Sequence, residues 1–481
     1  MNVRNSSGLL AAMTLGLSLI MLGSAAAATA AVAAPSDAVQ AEAREIFANI
    51  IAIESSIGKG KVPLVAKYLA GRFKAGGFPD ADIHILPLGE TASLVVRYRG
   101  KGRPGSASGS GGRPIALIAH MDVVTAKRSD WQRDPYRLIE EKGLFYGRGT
   151  SDVKQEVALL TATFLRLKAE GFVPTRDLII AFSGDEETEQ ATARDIVTKH
   201  RDLMDAEFAL NGDGGGGVLS EDTAKALIFY VQGAEKSSAK YLVTTRNPGG
   251  HSSQPRADNA IYELADALKA VQGYEFPVKW NEWTIGDFKA ASHVTQGPIA
   301  EAMAKFAADP GNAAAAAEIS KTPAYVGRIR TTCVATMLSG GHAENALPQS
   351  ATATINCRIF PGTSAADVQK TLQGLVGPKV EVKQGYDALV SDASPMRADV
   401  MQAVEKAVAA SDPGTPVVPT QAAYATDGAV YRNAGIPTYG VGGVFIMDSE
   451  EFAHGLNERI RVKEFYKGLT YWDVLIKALA G

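Results

Sequence analysis

The sequence has little of several features that mark particular classes of protein. Only two cysteines occur in 481 residues, so a disulfide scaffold is excluded, and a chain of this length can bury a core without one. Neither sign of charge is in excess, because 49 Lys and Arg face 52 Asp and Glu. Nucleic-acid binding needs a clustered basic surface, so we expect no nucleic-acid partner. No G-x-S-x-G nucleophile elbow occurs, which argues against a serine hydrolase.

The longest apolar run lies at the N-terminus. Arg4 is the only charged residue before Asp37, residues 9–22 are apolar, and small residues follow over 24–34. This order predicts a cleaved secretory signal over residues 1–34. A membrane anchor is the alternative, because the alanine-rich tail extends a run that is otherwise shorter than the ~20 residues that span a bilayer. We expect an exported protein, periplasmic or secreted, with no stable membrane anchor after cleavage.

Strand and helix patterns divide the remaining chain into three segments. Residues 35–235 alternate apolar strands with helices, which predicts an α/β fold with a mixed, mostly parallel sheet flanked by helices. Residues 236–393 follow the order βαββαβ around an aromatic and Ala-rich helical insertion, which predicts an inserted α+β domain. Residues 394–481 resume the first domain. The Gly/Ser/Pro-rich segment 100–114 is predicted to be a surface loop.

Histidines and carboxylates recur where the apolar strands of the first domain end. Parallel strands bring their carboxyl ends to one edge of a sheet, where such folds place their active sites. Each motif alone has an ordinary alternative, such as an N-cap, a solvated acidic loop or a surface histidine. Together they suit two Zn²⁺ ions, with Co²⁺ or Mn²⁺ as alternatives, because clustered carboxylates repel one another unless a cation or proton separates them. The motifs are His120 with Asp122, the glycine-rich turn 147–152 that ends in Asp152, Glu186 with Glu187, Asp213, and His454.

Two further patterns have competing interpretations. Residues 212–217 satisfy G-x-G-x-x-G after a strand, but no apolar-periodic helix follows, so a dinucleotide site is not expected. Cys333 and Cys357 occupy almost mirror positions on two strands of the inserted segment. They form either a cross-strand disulfide in an oxidising compartment or two unpaired core thiols, and both interpretations stay open.

In the order and spacing of its motifs, the sequence resembles the dinuclear zinc metallopeptidases that include aminoacylase, glutamate carboxypeptidase and carboxypeptidase S. Within them it is most similar to the branch of carboxypeptidase S and the N-acyl-amino-acid hydrolases, and the resemblance covers nearly all of the chain after the N-terminal segment. It implies that Asp122 orients a histidine ligand and that Glu186 is the general base. The ligand set it implies is His120, Asp152 and Asp213 for one zinc, and Asp152, Glu187 and His454 for the other.

The resemblance also assigns a role to the inserted segment. It matches the lid of the family, which often mediates dimerisation, so a homodimer through the lid is expected. Without the resemblance, the histidine in the lid is a turn residue, the arginine is a charge on a strand face, and the glycines near the C-terminus form a plain turn. The residues it points to are His251 for the oxyanion, Asn345 and Arg358 for substrate binding, and Gly440 and Gly442 for a substrate loop.

The function expected is hydrolysis of an amide bond next to a free carboxylate. The substrate is then a small peptide or an N-acyl amino acid, cleaved at a peptide C-terminus, in a dipeptide or at the acyl group. A non-catalytic exported protein that binds peptides on the same fold is the alternative. The complete ligand set argues against it, because a degenerate relative is expected to lack at least one ligand.

Overall fold

The computed structural model describes residues 35–102, 112–385 and 388–481. The predicted secretory segment 1–34 therefore lies outside the described residues, as does most of the predicted loop 100–114. No described helix is both long and apolar enough to cross a membrane.

The described residues form thirteen α-helices and nineteen strands. The helices are α1 Asp37–Ile51, α2 Val62–Ala75, α3 Lys154–Ala169, α4 Ala191–Lys199, α5 Ala260–Gln272, α6 Glu282–Val294, α7 Pro298–Ala308, α8 Ala313–Ser320, α9 Pro323–Val326, α10 Ala365–Val376, α11 Ala398–Ser411, α12 Gly428–Asn433 and α13 Val462–Ala480. The strands are β1 Ile83–Leu88, β2 Thr91–Tyr98, β3 Ile115–His120, β4 Ile139–Glu141, β5 Leu144–Tyr146, β6 Leu178–Ser183, β7 Phe208–Asn211, β8 Gly216–Leu219, β9 Ala226–Glu235, β10 Ser237–Arg246, β11 Gly250–His251, β12 Thr332–Gly340, β13 Ala346–Leu347, β14 Ser350–Ile359, β15 Glu381–Gln384, β16 Val417–Ala422, β17 Thr438–Gly440, β18 Phe445–Ile446 and β19 Arg459–Arg461.

A large mixed sheet forms the first domain, in the order β1-β2-β6-β3-β7-β17-β9-β8-β18, with β16 also on β9. Its centre is parallel, since β3 pairs in parallel with both β6 and β7, and β7 with β17. Its β1-β2-β6 side and its β8-β9 ladder are antiparallel. The predicted α/β fold with a mixed sheet flanked by helices is confirmed.

Helices cover both faces of this sheet, which explains the continuous apolar runs in its central strands. Every residue of β3 is buried, because alternate side chains enter two different cores. Leu117 belongs to the core on one face, to which α1, α2, α3, α11 and α13 also contribute. Ile118 packs with α4 and α12 on the other.

A separate four-stranded antiparallel sheet, β12-β14-β10-β15, takes its strands from the predicted inserted segment. Along the chain its elements run β10-α5-β12-β14-α10-β15, which is the βαββαβ order. The helices α5 and α10 pack on it and enclose a second core. Cys333 and Cys357 are register partners on β12 and β14 and are joined by a disulfide, so the structure has the cross-strand bond and not two free thiols. The exact limits of the predicted domains stay a prediction.

The helical insertion does not pack only with the small sheet. Helices α6 to α9 share a core of their own. Trp283 of α6, however, belongs to the main core and donates its indole N–H to the Ser394 carbonyl at 2.7 Å. Its ring lies where a side chain on Gly233 would stand, with ring atoms 1.9 Å from an ideal Cβ. Residue 233 therefore must be glycine, and α6 braces the large sheet beside the start of the inserted segment.

Candidate active site

The predicted metal ligands from the central strands lie at one edge of the large sheet. His120 is the last residue of β3, and the residues that follow β6 and β7 carry the acidic motifs. Because β3 pairs in parallel with both of those strands, Glu186, Glu187 and Asp213 lie beside His120. The topology thus assembles three separate sequence motifs without any long loop.

Asp152 lies between two histidines that are distant in sequence. One carboxylate oxygen is 3.0 Å from His120 Nε2, and the other is 2.9 Å from His454 Nε2. Glu187 Oε2 is also 2.9 Å from His454 Nε2. On the other side, Asp213 Oδ2 is 3.9 Å from His120 Nε2. This is the arrangement expected of a carboxylate that bridges two cations, each with an imidazole and a second carboxylate.

Glu186 also lies inside this cluster. Its Oε2 is 4.0 Å from His120 Nε2, and it forms a potential ligand group with His120 and Asp213. The groups that could hold a metal are thus His120, Asp152 and Glu187, and His120, Glu186 and Asp213. The distances alone allow Glu186 to act as ligand or as base, so its role as base stays a prediction.

The electrostatics of the cluster fit divalent cations. Burial, and then the charge of Asp213, raise the pKa of Glu186 well above its usual range. Burial likewise raises the pKa of Asp213. Burial also acts to raise the pKa of Asp152, but hydrogen bonds from His120 and His454 outweigh it, so that pKa lies below its usual range.

An unsatisfied oxygen points to the same conclusion. Oε1 of Glu187 is buried and has no hydrogen-bond partner among the described residues. A buried carboxylate oxygen in this state is costly unless a proton or a cation meets it. Imidazole nitrogens and carboxylate oxygens are the donors that Zn²⁺ prefers. The residues present therefore fit a pair of divalent metal ions, zinc among them.

Asp122 connects the strand-end motifs. Its carboxylate accepts hydrogen bonds from the backbone N–H groups of Glu186 and Glu187 at 3.2 and 3.1 Å. Nδ1 of His120 lies 3.1 Å from the carbonyl oxygen of Asp122 and 3.4 Å from its carboxylate. Asp122 is thus placed to fix the orientation of the imidazole and the position of the Glu-Glu segment at once.

Glu458, to which no sequence motif assigned a role, organises the turn that carries Asp152. This carboxylate is fully buried, pairs with Arg148 at 2.6 Å, and accepts hydrogen bonds from the backbone N–H groups of Ser151 and Asp152 at 2.7 and 3.0 Å. It stands four residues after His454. The Glu458 side chain therefore couples the turn that carries Asp152 to the segment that carries His454. The sequence indicates this only through the short spacing between Glu458 and His454.

Glu156, in the first turn of α3, is a second buried carboxylate that the sequence did not single out. It accepts hydrogen bonds from the Gly443 N–H at 2.8 Å and from the Trp472 indole at 2.6 Å. Burial raises its pKa to about 8. Glu156 anchors the glycine-rich segment that follows β17 to the helix behind the cluster.

The cluster opens into a cavity of about 1210 Å³. Asp152, Glu187 and His454 line it from the large domain, and so does Gly442 of the glycine-rich segment. Arg358, on β14 of the small sheet, also lines it. Of the substrate residues that the resemblance implies, Arg358 and Gly442 therefore lie in the cavity lining, and their contact with a substrate stays a prediction.

Three other predicted substrate residues lie elsewhere. His251 is exposed on the β11-β13 ribbon, where its Nδ1 is 2.8 Å from Ser253 Oγ, and Asn345 is exposed directly before β13. Neither is among the described residues that line the cavity. Gly440 is buried in β17, where an ideal Cβ would lie 2.8 Å from the Gly214 backbone, so it serves strand packing.

The fold and the cluster are those of a metal-dependent hydrolase. The chain belongs to peptidase family M20/M25/M40, whose model matches residues 116–478. It is 26% identical over 383 residues to the human N-fatty-acyl-amino acid synthase/hydrolase PM20D1, covering 76% of this chain and 74% of that one. It is 26% identical over 404 residues to a probable carboxypeptidase S-like 2 of Dictyostelium discoideum, covering 82% and 76%. The M20 family metallo-carboxypeptidase Sso-CP2 of Sulfolobus solfataricus shares the fold, with a TM-score of 0.67 at 16% identity over 91% of this chain and 99% of that one.

Proposed function

We propose that this protein is a zinc-dependent hydrolase that cleaves an amide bond next to a free carboxylate, with N-acyl amino acids as its substrate class and peptide C-termini or dipeptides as the runner-up. The observation that carries the proposal is the Asp152 carboxylate between His120 and His454, in a cavity that Arg358 also lines. The similarity to an N-fatty-acyl-amino acid synthase/hydrolase and to a carboxypeptidase S-like protein supports this choice.

Glu186 and Arg358 have separate roles in the proposed hydrolysis. The chemistry that a bound zinc pair supplies is polarisation of the scissile carbonyl and a lowered pKa for a water molecule. Glu186 takes a proton from that water and passes it to the leaving nitrogen. Arg358 binds the substrate carboxylate through charge-assisted hydrogen bonds, which favours substrates with a free carboxylate.

Apolar residues in the cavity lining support the choice of substrates that carry an acyl group. Val444 and Ile446 line the cavity on the side of the glycine-rich segment. Leu389 and Ala429 add apolar surface elsewhere in the lining. Apolar walls with a few polar groups are typical of a site that binds a small, partly apolar molecule.

We also propose that a second copy of the chain completes the site through the small sheet. His251 does not line the cavity of its own chain, yet a donor is needed for the developing oxyanion. Strand β12 is an edge of the small sheet and exposes Val334, Met337 and Leu338 to solvent. An exposed apolar edge strand is a ready surface for pairing with another chain.

Export is the remaining part of the proposal. The disulfide between Cys333 and Cys357 supports it, since such bonds persist in oxidising compartments. The test is cell fractionation with mass spectrometry of the mature N-terminus. We expect the protein in the periplasm or medium without residues 1–34; a cytosolic protein that keeps them would overturn this part.

The catalytic proposal is tested by metal analysis combined with hydrolysis of a panel of N-acyl amino acids and dipeptides. We expect zinc in the protein, turnover that chelation abolishes and zinc restores, and N-acyl amino acids as the best substrates. Ligand binding without turnover would instead support a peptide-binding protein. Turnover that chelation does not change would contradict metal catalysis.

A further inference from the structure

A second guanidinium faces the catalytic cavity from the large domain. Arg194 lies in the first turn of α4, is partly buried, and is among the residues that line the cavity. The start of this helix is held by Asp185, whose carboxylate accepts hydrogen bonds from the backbone N–H groups of Ala191 and Thr192 at 2.8 and 2.9 Å. The loop that carries Glu186 and Glu187 therefore also fixes the position of Arg194.

Within the part of the chain that the structure describes, the Arg194 side chain has no hydrogen bond and no ion pair. Most other described arginines bind a carboxylate or a carbonyl, as Arg432 binds Glu235 and Arg148 binds Glu458. A partly desolvated guanidinium is stabilised by an anion that offers two acceptor oxygens. Arg194 is thus available to bind an anion that enters the cavity.

Arg358, which lines the cavity from the small sheet, is in the same state, since its guanidinium also lacks a partner among the described residues. The proposed function uses one of the two arginines, because an N-acyl amino acid with a neutral side chain carries a single carboxylate. The cavity therefore offers one more anion-binding group than such a substrate occupies.

We propose that Arg194 forms a second anion subsite and that the preferred substrates carry a second carboxylate. This inference rests on the proposed function and names a narrower substrate class: amides with two carboxylates. The second carboxylate belongs either to an acidic amino-acid side chain or to a dicarboxylic acyl group. In both cases the group that Arg194 binds is a planar carboxylate.

The test is calorimetric binding to zinc-loaded protein that carries Glu186→Ala, so that ligands are not consumed. One pair of ligands is N-acetyl-glutamate and N-acetyl-glutamine. The other is N-succinyl-leucine and N-succinamoyl-leucine, in which an amide replaces the carboxylate of the acyl group. The variants are Arg194→Gln and, as a matched control, Arg137→Gln. Arg137 is exposed, lies outside the cavity lining and likewise has no side-chain partner among the described residues.

We expect the dianion of at least one pair to bind roughly tenfold more tightly than its partner with a single carboxylate. Arg194→Gln should bring that ratio close to one, and Arg137→Gln should leave it as it is. The pair that shows the preference identifies the source of the second carboxylate.

The inference is overturned if neither pair shows a preference, or if the preference survives Arg194→Gln. It is also overturned if Arg194→Gln weakens both members of a pair equally, since Arg194 would then hold the same carboxylate as Arg358. Failure of the proposed function is a separate result: protein without these substitutions would hydrolyse none of the four ligands.

Discussion

At the scale of single residues, the site depends on one carboxylate that serves two neighbours. Asp152 lies at hydrogen-bonding distance from both His120 and His454, whereas Asp213 and Glu187 each approach only one of these histidines closely. The short G-R-G-T-S-D turn delivers it to the start of α3. Strand ends predict the positions of His120, the Glu186-Glu187 pair and Asp213, because parallel strands align their ends regardless of the distance in sequence. Asp152 and His454 are different, because β5 and β19 beside them belong to a separate antiparallel sheet, and their ligand roles came from the resemblance.

Glu186→Ala separates the proposed base from the proposed ligands. We expect turnover to fall by about 10²- to 10⁴-fold, the usual contribution of general base catalysis, while the zinc content stays close to two equivalents. Steady-state kinetics and metal analysis of the same sample check this. The control is Glu90→Gln, an exposed carboxylate in the turn between β1 and β2. Loss of a zinc equivalent along with the turnover would make Glu186 a ligand.

At the scale of elements, two buried carboxylates hold the site together, and neither was predicted. Glu458 fixes the turn before α3, and Glu156 fixes the glycine-rich segment after β17. Each carboxylate acts by accepting hydrogen bonds from backbone N–H groups that are distant in sequence. A sequence pattern names the residue types in a segment but does not show which backbone groups a buried carboxylate meets.

Glu458→Gln should weaken zinc binding although Glu458 is not a proposed ligand. We expect the affinity to fall about 10- to 100-fold, the usual effect of losing a group that orients metal ligands. Competition with a chromogenic chelator measures it, with Glu405→Gln on the exposed face of α11 as the control.

Arg148 loses its buried partner in that variant, so the melting temperature should fall as well. The double variant Arg148→Met with Glu458→Gln removes the unpaired charge. If the double variant binds zinc as tightly as the unmodified protein, Glu458 serves stability alone.

Glu156 should make the stability of the metal-free protein depend on pH. The folded state keeps the proton of Glu156 up to a pKa of about 8, whereas an unfolded Glu loses it near 4.5. The contribution of Glu156 to the free energy of unfolding is therefore fully present below the unfolded pKa. It is lost as the pH rises towards 8, at about 1.4 kcal/mol per pKa unit.

Glu156→Gln removes this titration. We expect the free energy of unfolding of the variant, relative to the unmodified protein, to increase by up to a few kcal/mol between pH 5 and pH 8. Urea denaturation across that range measures the difference in the free energy of unfolding between the two proteins. The contributions of the other titrating groups cancel in this difference. A difference that does not change with pH would show that Glu156 is already charged in the folded state.

At the scale of the whole molecule, residues next to both sheets line one cavity. The alternation of strands and helices predicted both sheets, but the placement of the lid residues was only partly foreseen. Arg358 reaches the cavity because it lies on a strand of the small sheet, whereas His251 lies on a ribbon outside it. Helix α6 also packs on the large sheet through Trp283. Such contacts depend on packing between distant segments, which local periodicity does not encode.

Met337→Asp, on the exposed edge strand β12, should prevent self-association. We expect sedimentation velocity to report a dimer for the unmodified protein and a monomer for the variant, because a buried charge without a partner opposes pairing. Turnover should fall in parallel if His251 of the partner subunit completes the site. The matched control is Val173→Asp, an exposed apolar residue of the large domain. A monomer with full turnover in the unmodified protein would remove the second copy from the account.

A zinc titration followed by elemental analysis tests the shared carboxylate most directly. For the unmodified chain we predict two tightly bound zinc ions, and for Asp152→Asn the loss of both, with fold and thermal transition otherwise retained. Two zinc ions bound with unchanged affinity to Asp152→Asn would contradict the account, and so would a single ion in the unmodified protein.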